Sequence, residues 1–235
     1  MSNITITNND LGNVILKDAQ FRDELLTFAG AGTVEEGTIL ARREVENAVT
    51  ATADVGNTGD GTVTLATVAA GSIIPLVGDY NLEVTGAVTN GGVFKLEDPN
   101  GAIVATGLTM TAGAGAATAF EVAGLNFTIT DGTTDFIVGD KFALTVAADG
   151  KIVPFAIDGD GGAQNPKAIL TYDVTATGAG DVAIRAGVAG AYRKERLIID
   201  ADGDGSNITD AILDQLRDYG LVPIDVQELN ILDNQ

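Results

Sequence analysis

The chain has 235 residues, of which 45% are hydrophobic and 20% charged, enough for two modest domains on a prior of roughly 100–200 residues per domain. It contains no Cys, His or Trp, which excludes a cystine-stapled scaffold, thiol or imidazole catalysis and the usual transition-metal ligands. Its 33 acidic and 13 basic residues give a net charge of −20, which repels phosphate backbones and speaks against nucleic acid as a partner.

Met1–Leu16 reads as an extended arm: Ile4-Thr5-Ile6-Thr7 alternates with period two, and Asn8-Asn9-Asp10 and Gly12 are turn formers. Such a terminus is frayed, is folded onto its own domain, or is offered as a strand to another subunit or protein. Met1–Asp10 lacks the basic region and apolar core of a secretion signal. No apolar run reaches the roughly 18 residues of a membrane span, so a cytosolic site of synthesis and no membrane partner are expected.

From Lys17 the chain changes character, and Phe21–Phe28 fits either a helical turn or a short strand. Gly37–Val45 (GTILARREV) alternates as a strand, and Lys151–Ile157 (KIVPFAI) is its expected partner. No arginine occurs between Arg43 and Arg185, and the stretch between is rich in Thr, Gly, Ala and Val. That composition predicts an inserted domain at residues 47–147 within a framework domain of residues 17–46 and 148–235, with residues 1–16 as the arm. Insertion requires the flanks Glu44–Asn47 and Ala147–Lys151 to be neighbours.

Within the insert, strands are predicted at Gly61–Val68, Tyr80–Val88, Gly92–Glu97, Ala102–Thr106, Phe120–Thr130 and Lys141–Val146, with a tight turn at Asp98-Pro99-Asn100-Gly101. Their number and spacing predict a sandwich-like antiparallel module, and the Ala-Gly run Ala112–Ala117 a loop. Beyond it, strands are expected at Ala168–Ala176, Asp181–Arg185 and Arg196–Asp200. Asn207–Tyr219 is a predicted helix, with Ile208, Ile212, Leu216 and Tyr219 on one face, Asn207 or Thr209 as cap and Gly220 after its end. The fold class is therefore mainly β with minor α.

The search for chemistry yields little. Without His or Cys there is no Ser-His-Asp triad, thiol nucleophile or imidazole base, and no Gly run is followed by the Lys-Ser or Lys-Thr of a phosphate loop, so an enzyme is not expected and no cofactor is implied. Asp200, Asp202, Asp204 and Gly205 match the first half of a calcium loop, but Ala211 stands where a bidentate Glu is required. These aspartates are weak metal candidates against the plainer reading of an acidic turn before a helix.

Asp23–Arg42 (DELLTFAGAGTVEEGTILAR), Lys151–Ala156, Lys167–Asp181 (KAILTYDVTATGAGD) and Ile208–Gly220 follow one another in an order and spacing that resembles the head decoration proteins of tailed bacteriophages, the lambda decoration protein type. The resemblance covers most of residues 20–46 and 148–229. Phe127–Val146 (FTITDGTTDFIVGDKFALTV) looks like a module found within several phage structural proteins and departs from the minimal family pattern. The resemblance implies an α/β decoration framework interrupted by a β-sandwich-like insert. It further implies a homotrimer that cements the exterior of the expanded phage head by binding the major capsid protein, with the virion surface as its location. In that reading the arm residues Ile4, Thr5, Ile6, Thr7 and Leu11 bind the capsid. The alternatives are another virion structural protein, such as a tail or fibre component, or a β-rich surface-binding module.

Overall fold

The computed structural model describes residues 14–69, 73–111 and 113–226. In chain order its strands are β1 (Ile15–Phe28), β2 (Gly32–Val34), β3 (Ile39–Arg42), β4 (Val45–Ala53), β5 (Thr62–Val68), β6 (Gly78–Val88), β7 (Gly91–Glu97) and β8 (Ile103–Thr109). There follow β9 (Ala117–Val122), β10 (Leu125–Thr130), β11 (Lys141–Ala148), β12 (Ile152–Pro154), β13 (Pro166–Ile169), β14 (Val174–Ala176), β15 (Gly180–Arg193), helix α1 (Asp210–Asp218) and β16 (Leu221–Ile224). The chain is mainly β with minor α, as its patterning predicts. It divides into two compact units: Met1–Arg42, Lys151–Ala156 and Asn165–Gln235 form the first, Arg43–Gly150 and Ile157–Gln164 the second.

The first unit is built on a closed barrel. Its sheet runs β1-β12-β3-β13-β15-β16, and an additional β1–β15 pairing closes the ring and leaves β16 outside it. Closure removes the free edges that an open sheet exposes. The chain leaves on β3 and returns on β12, and Arg42 and Ile152 are register partners. Inward-facing Leu26, Phe28, Leu40, Ile152, Ala168, Leu170, Ile184 and Ala186 fill the barrel. Alternate residues of the same strands, Ile39, Ala41 and Ile169, are also buried, because they pack with Ile212, Leu213 and Leu216 of α1. Burial on both faces explains why ILA and AIL read as continuous apolar runs.

Helix α1 starts later than its periodicity implies. Thr209 is the cap, its side chain accepting from the Ile212 N–H at 3.4 Å, and Gly220 takes the left-handed position beyond the end (φ +81°). Its buried face is Ile212, Leu213 and Leu216, whereas Tyr219 is exposed with the Lys167 ammonium 5.6 Å from its ring centroid.

The second unit is a single antiparallel sheet in the order β8-β7-β6-β11-β4-β5-β10-β9. β4 belongs to both halves: it pairs with β11 from Phe142↔Ala53 to Ala148↔Val45, and with β5 at Ala48↔Thr67. Both halves fold over one core, where Tyr80, Leu82, Val84, Phe94 and Leu96 meet Leu125, Phe127 and Ile129. Phe136 stands edge-on to Phe94 at 5.4 Å and to Phe142 at 6.0 Å, a favourable ring geometry. The predicted turn forms, with Asp98 Oδ1 accepting from Asn100 N and Ala102 N, each at 2.9 Å.

Several predicted elements are corrected. The ambiguous Phe21–Phe28 is part of a 14-residue strand. Gly37–Val45 is two strands, and β4, assigned to no strand of the insert by patterning, is central to its sheet. Phe120–Thr130 is a hairpin: Ala123 and Gly124 both have positive φ (51° and 80°), a two-residue turn hidden inside an unbroken alternation. Ala168–Ala176 breaks into β13 and β14. Arg196–Asp200 is not a strand. A 3-10 turn at Lys194–Arg196 precedes isolated bridges Thr38↔Ile198 and Ile199↔Asp204.

Candidate functional site

Two surface features of the first unit collect chemistry-bearing side chains. One is the outer face of the β1–β15 ribbon, whose register runs from Ile15↔Tyr192 to Phe28↔Gly180. Period-two alternation sends Glu24, Leu26 and Phe28 inward and Phe21, Asp23 and Leu25 outward. Glu24 is tolerated inside because Arg22 Nε lies 3.1 Å from it and Arg42 also pairs with it. Outside, Phe21 and Leu25 remain 40% and 48% exposed. The Arg185 guanidinium lies 5.2 Å from the Phe21 ring centroid. The hydroxyl of Tyr172, itself 42% exposed, accepts from the Arg185 backbone N–H at 2.9 Å.

The other feature is an acidic groove of about 490 Å³ lined by Glu35, Glu36, Asp173, Glu195, Arg196 and Asp204, among others. Three of its carboxylates already serve the backbone. Glu36 accepts from Val14 N at 2.8 Å, Asp173 from Glu36 N at 2.7 Å and Asp204 from Ser206 N at 2.8 Å. Ser206, through its side chain and its amide, holds Asp204 below the usual carboxylate range. Asp200 moves the other way: burial and the neighbouring Glu35 charge push its carboxyl up.

The sequence-predicted site residues separate. Ile4, Thr5, Ile6, Thr7 and Leu11 lie outside the described residues. Asp200, Asp202 and Asp204 share the loop before α1, but among the described residues no group of three or more acidic side chains is placed to hold a metal ion. Nor does Asp204 serve the helix: it binds Ser206, and Thr209 fills the cap. Phe21, Leu25, Tyr172 and Arg185 were not singled out by patterning. The available signal was the odd-position Phe21-x-x-x-Leu25 spacing once a strand is assumed.

No family model matches the sequence, and no curated protein matches it. Crystal structures of FlgL from Xanthomonas campestris in two crystal forms are similar at 23% and 24% identity, covering 48% and 49% of this chain and 34% and 33% of theirs, each with a TM-score of 0.33. The flagellar junction protein FlgL from Legionella pneumophila is similar at 12% identity, over 49% of this chain and 38% of its own, with a TM-score of 0.33. The chain thus spans about a third of the length of these proteins, and at this degree of likeness no flagellar role is assigned to it.

These neighbours nonetheless correct the family expectation. They are flagellar proteins, not phage head decoration proteins, and no family model restores the lambda type. The readings that hung on that family are therefore withdrawn: the homotrimer, the major capsid protein as partner, and a place on the capsid exterior of a virion. The segments that carried the resemblance are alternating strands and one amphipathic helix, patterns that any small barrel with a docked helix produces.

Proposed function

We propose that this chain is a non-catalytic structural component of a larger protein assembly, of the tail or fibre type, and that it holds its neighbour through the outer face of the β1–β15 ribbon. The observation that carries this reading is the grouping of exposed Phe21, Leu25 and Arg185 on one sheet face, with the exposed Tyr172 hydroxyl bonded to the Arg185 backbone. Only 5% of the residues are aromatic, and Phe21 is left 40% exposed with the Arg185 guanidinium over its ring. Aromatic and Arg side chains dominate the energetics of protein interfaces. The fitting neighbour offers apolar side chains to cover Phe21 and Leu25 on either side of outward-facing Asp23, and an acceptor for the Arg185 guanidinium. The lack of His and Cys supports a role without catalysis.

Sedimentation of particles from producing cells, with gold-labelled antibody against the chain, tests the reading. The chain is expected on tail- or fibre-like particles, and Phe21→Ser combined with Arg185→Ala is expected to stay folded by circular dichroism but at the top of the gradient. A wild-type chain found wholly free, or a double variant incorporated as well as wild type, overturns it.

A further inference from the structure

A small pocket adjoining the acidic groove brings two exposed carboxylates beside one buried hydroxyl that makes no hydrogen bond among the described residues. Its volume is about 160 Å³, and Thr33, Glu35, Thr38, Ile198, Asp200 and Gly203 line it. Thr38 is fully buried, yet its Oγ1 has no hydrogen-bond partner. Native folds seldom leave a buried hydroxyl unpaired, and each exception calls for a reason. Among the described residues neither the Glu35 nor the Asp200 carboxylate has a hydrogen bond or ion pair. Both carboxylates line this same pocket.

The placement is fixed by the fold. Thr38 begins the run into β3, and its bridge to Ile198 draws the segment before the 200–204 loop alongside. Ile39 N donates to Ile198 O at 2.9 Å and Ile198 N to Gly37 O at 3.0 Å, so the pocket's two walls are locked together by backbone hydrogen bonds. Glu36, Asp173, Glu195 and Asp204 line the adjoining groove and add to the negative field, with Arg196 the cation of that lining.

We propose that this pocket binds a hard divalent cation, Ca²⁺ in preference to Mg²⁺, through the carboxylates of Asp200 and Glu35 and the hydroxyl of Thr38, with water completing the shell. The donors are all oxygen, which selects hard cations. They come from separate positions in the chain, Glu35 and Thr38 before β3 and Asp200 before α1, and so few protein donors drawn from separate loops suit the variable coordination of Ca²⁺ better than the strict octahedron of Mg²⁺. This site differs from the calcium-loop pattern in the sequence: Asp202 and Asp204 are not among its lining residues.

The test is calorimetric titration of the full chain, stripped of metal, with CaCl₂ and with MgCl₂ in about 0.15 M NaCl to suppress diffuse attraction to a polyanion. Thermal unfolding is followed in parallel. The expected result is one saturable Ca²⁺ equivalent that raises Tm, with Mg²⁺ weaker by about tenfold or more. Glu35→Gln and Asp200→Asn should each weaken binding about tenfold or more, and Asp202→Asn by no more than about twofold. Thr38→Val replaces a buried, unpaired hydroxyl with a methyl, so it should fold at least as well as wild type while binding more weakly. The proposal is overturned by the absence of saturable heat up to about 5 mM Ca²⁺. It is equally overturned by binding that survives Glu35→Gln and Asp200→Asn, or that Asp202→Asn abolishes.

Discussion

Asp140 ties together the loops at one end of the second unit, and replacing it with alanine should cost that unit much of its stability. The residue is 2% exposed. Its carboxylate accepts three backbone N–H groups: Thr58 at 2.8 Å, Gly59 at 3.0 Å and Ile137 at 3.0 Å. Alanine leaves all three without that acceptor. The sites are partly buried, so water reaches some of them; at about 1–3 kcal/mol for each stranded group, one or two stranded groups give a loss of about 2–5 kcal/mol. Asp140→Asn keeps one carbonyl oxygen and should lose about 1–2 kcal/mol. Burial raises this carboxyl, but the three amides together lower it by more, and the net position is below the ordinary value of 3.8. A depressed folded-state pKa gives stability that is present above the unfolded value and lost as pH falls through the folded one. Wild type should therefore lose stability in the second unit as pH drops below about 4, and Asp140→Asn should flatten that dependence. Hydrogen exchange read by mass spectrometry separates the units, with peptides over β6 and β11 as reporters and peptides over β15 as internal control. At about 1.4 kcal/mol per tenfold, Asp140→Ala should speed exchange in β6 and β11 at least about tenfold and leave β15 unchanged. A change below about threefold, or an Asp140→Asn variant as acid-sensitive as wild type, would refute the reasoning.

In the first unit, Gly37 has φ +92°, and a Cβ there would lie 1.9 Å from the Arg196 carbonyl oxygen. Gly37→Ala should therefore lower stability by more than about 2 kcal/mol in urea unfolding, and a near-neutral result would mean that the β3 entry can shift. Leu216 is fully buried between α1 and the barrel, so Leu216→Ala should cost about 2–5 kcal/mol by the same measurement, with a smaller loss showing that the helix can settle inward. Asp131 is 5% exposed and neither carboxylate oxygen has a hydrogen-bond partner among the described residues, so Asp131→Asn should raise the stability of the second unit by about 1 kcal/mol. A lower Tm for that variant would show that the charge is compensated.

Much of this architecture is legible from alternation because one face of each sheet is buried. β6, β7 and β11 read directly, since Tyr80, Leu82 and Val84, then Phe94 and Leu96, then Phe142, Leu144 and Val146, repeat with period two and are buried together. The failures occur where tertiary context overrides the pattern. β1 has only two buried residues in fourteen, so a ribbon exposed along most of its outer face looked like an undecided helical turn. The Ala123-Gly124 turn hid because alanine rarely adopts positive φ. The break between β3 and β4 carries no Gly or Pro at all. Its cause is long-range: Gly161 O accepts from Glu44 N at 2.6 Å and from Val45 N at 3.3 Å, and Arg43 pairs with Asp149.

The candidate sites were less legible for a related reason. Periodicity distinguishes buried from exposed positions but treats all exposed positions alike. Phe21 and Arg185 are 164 residues apart in sequence and meet only because β1 and β15 pair to close the barrel. Glu35, Thr38 and Asp200 meet only because one bridge, Thr38↔Ile198, joins distant loops. The contiguous Asp200–Asp204 motif contains one of those three residues, since a motif search looks only at residues near in sequence. The same limitation undid the family reading. Segment order and spacing encode which faces are buried, and hence a barrel with a docked helix, whereas partner choice resides in the outward-facing residues between them. A test of function in this chain must therefore change Phe21, Arg185, Glu35 or Asp200, because substitutions in the buried pattern that suggested the family report on folding alone.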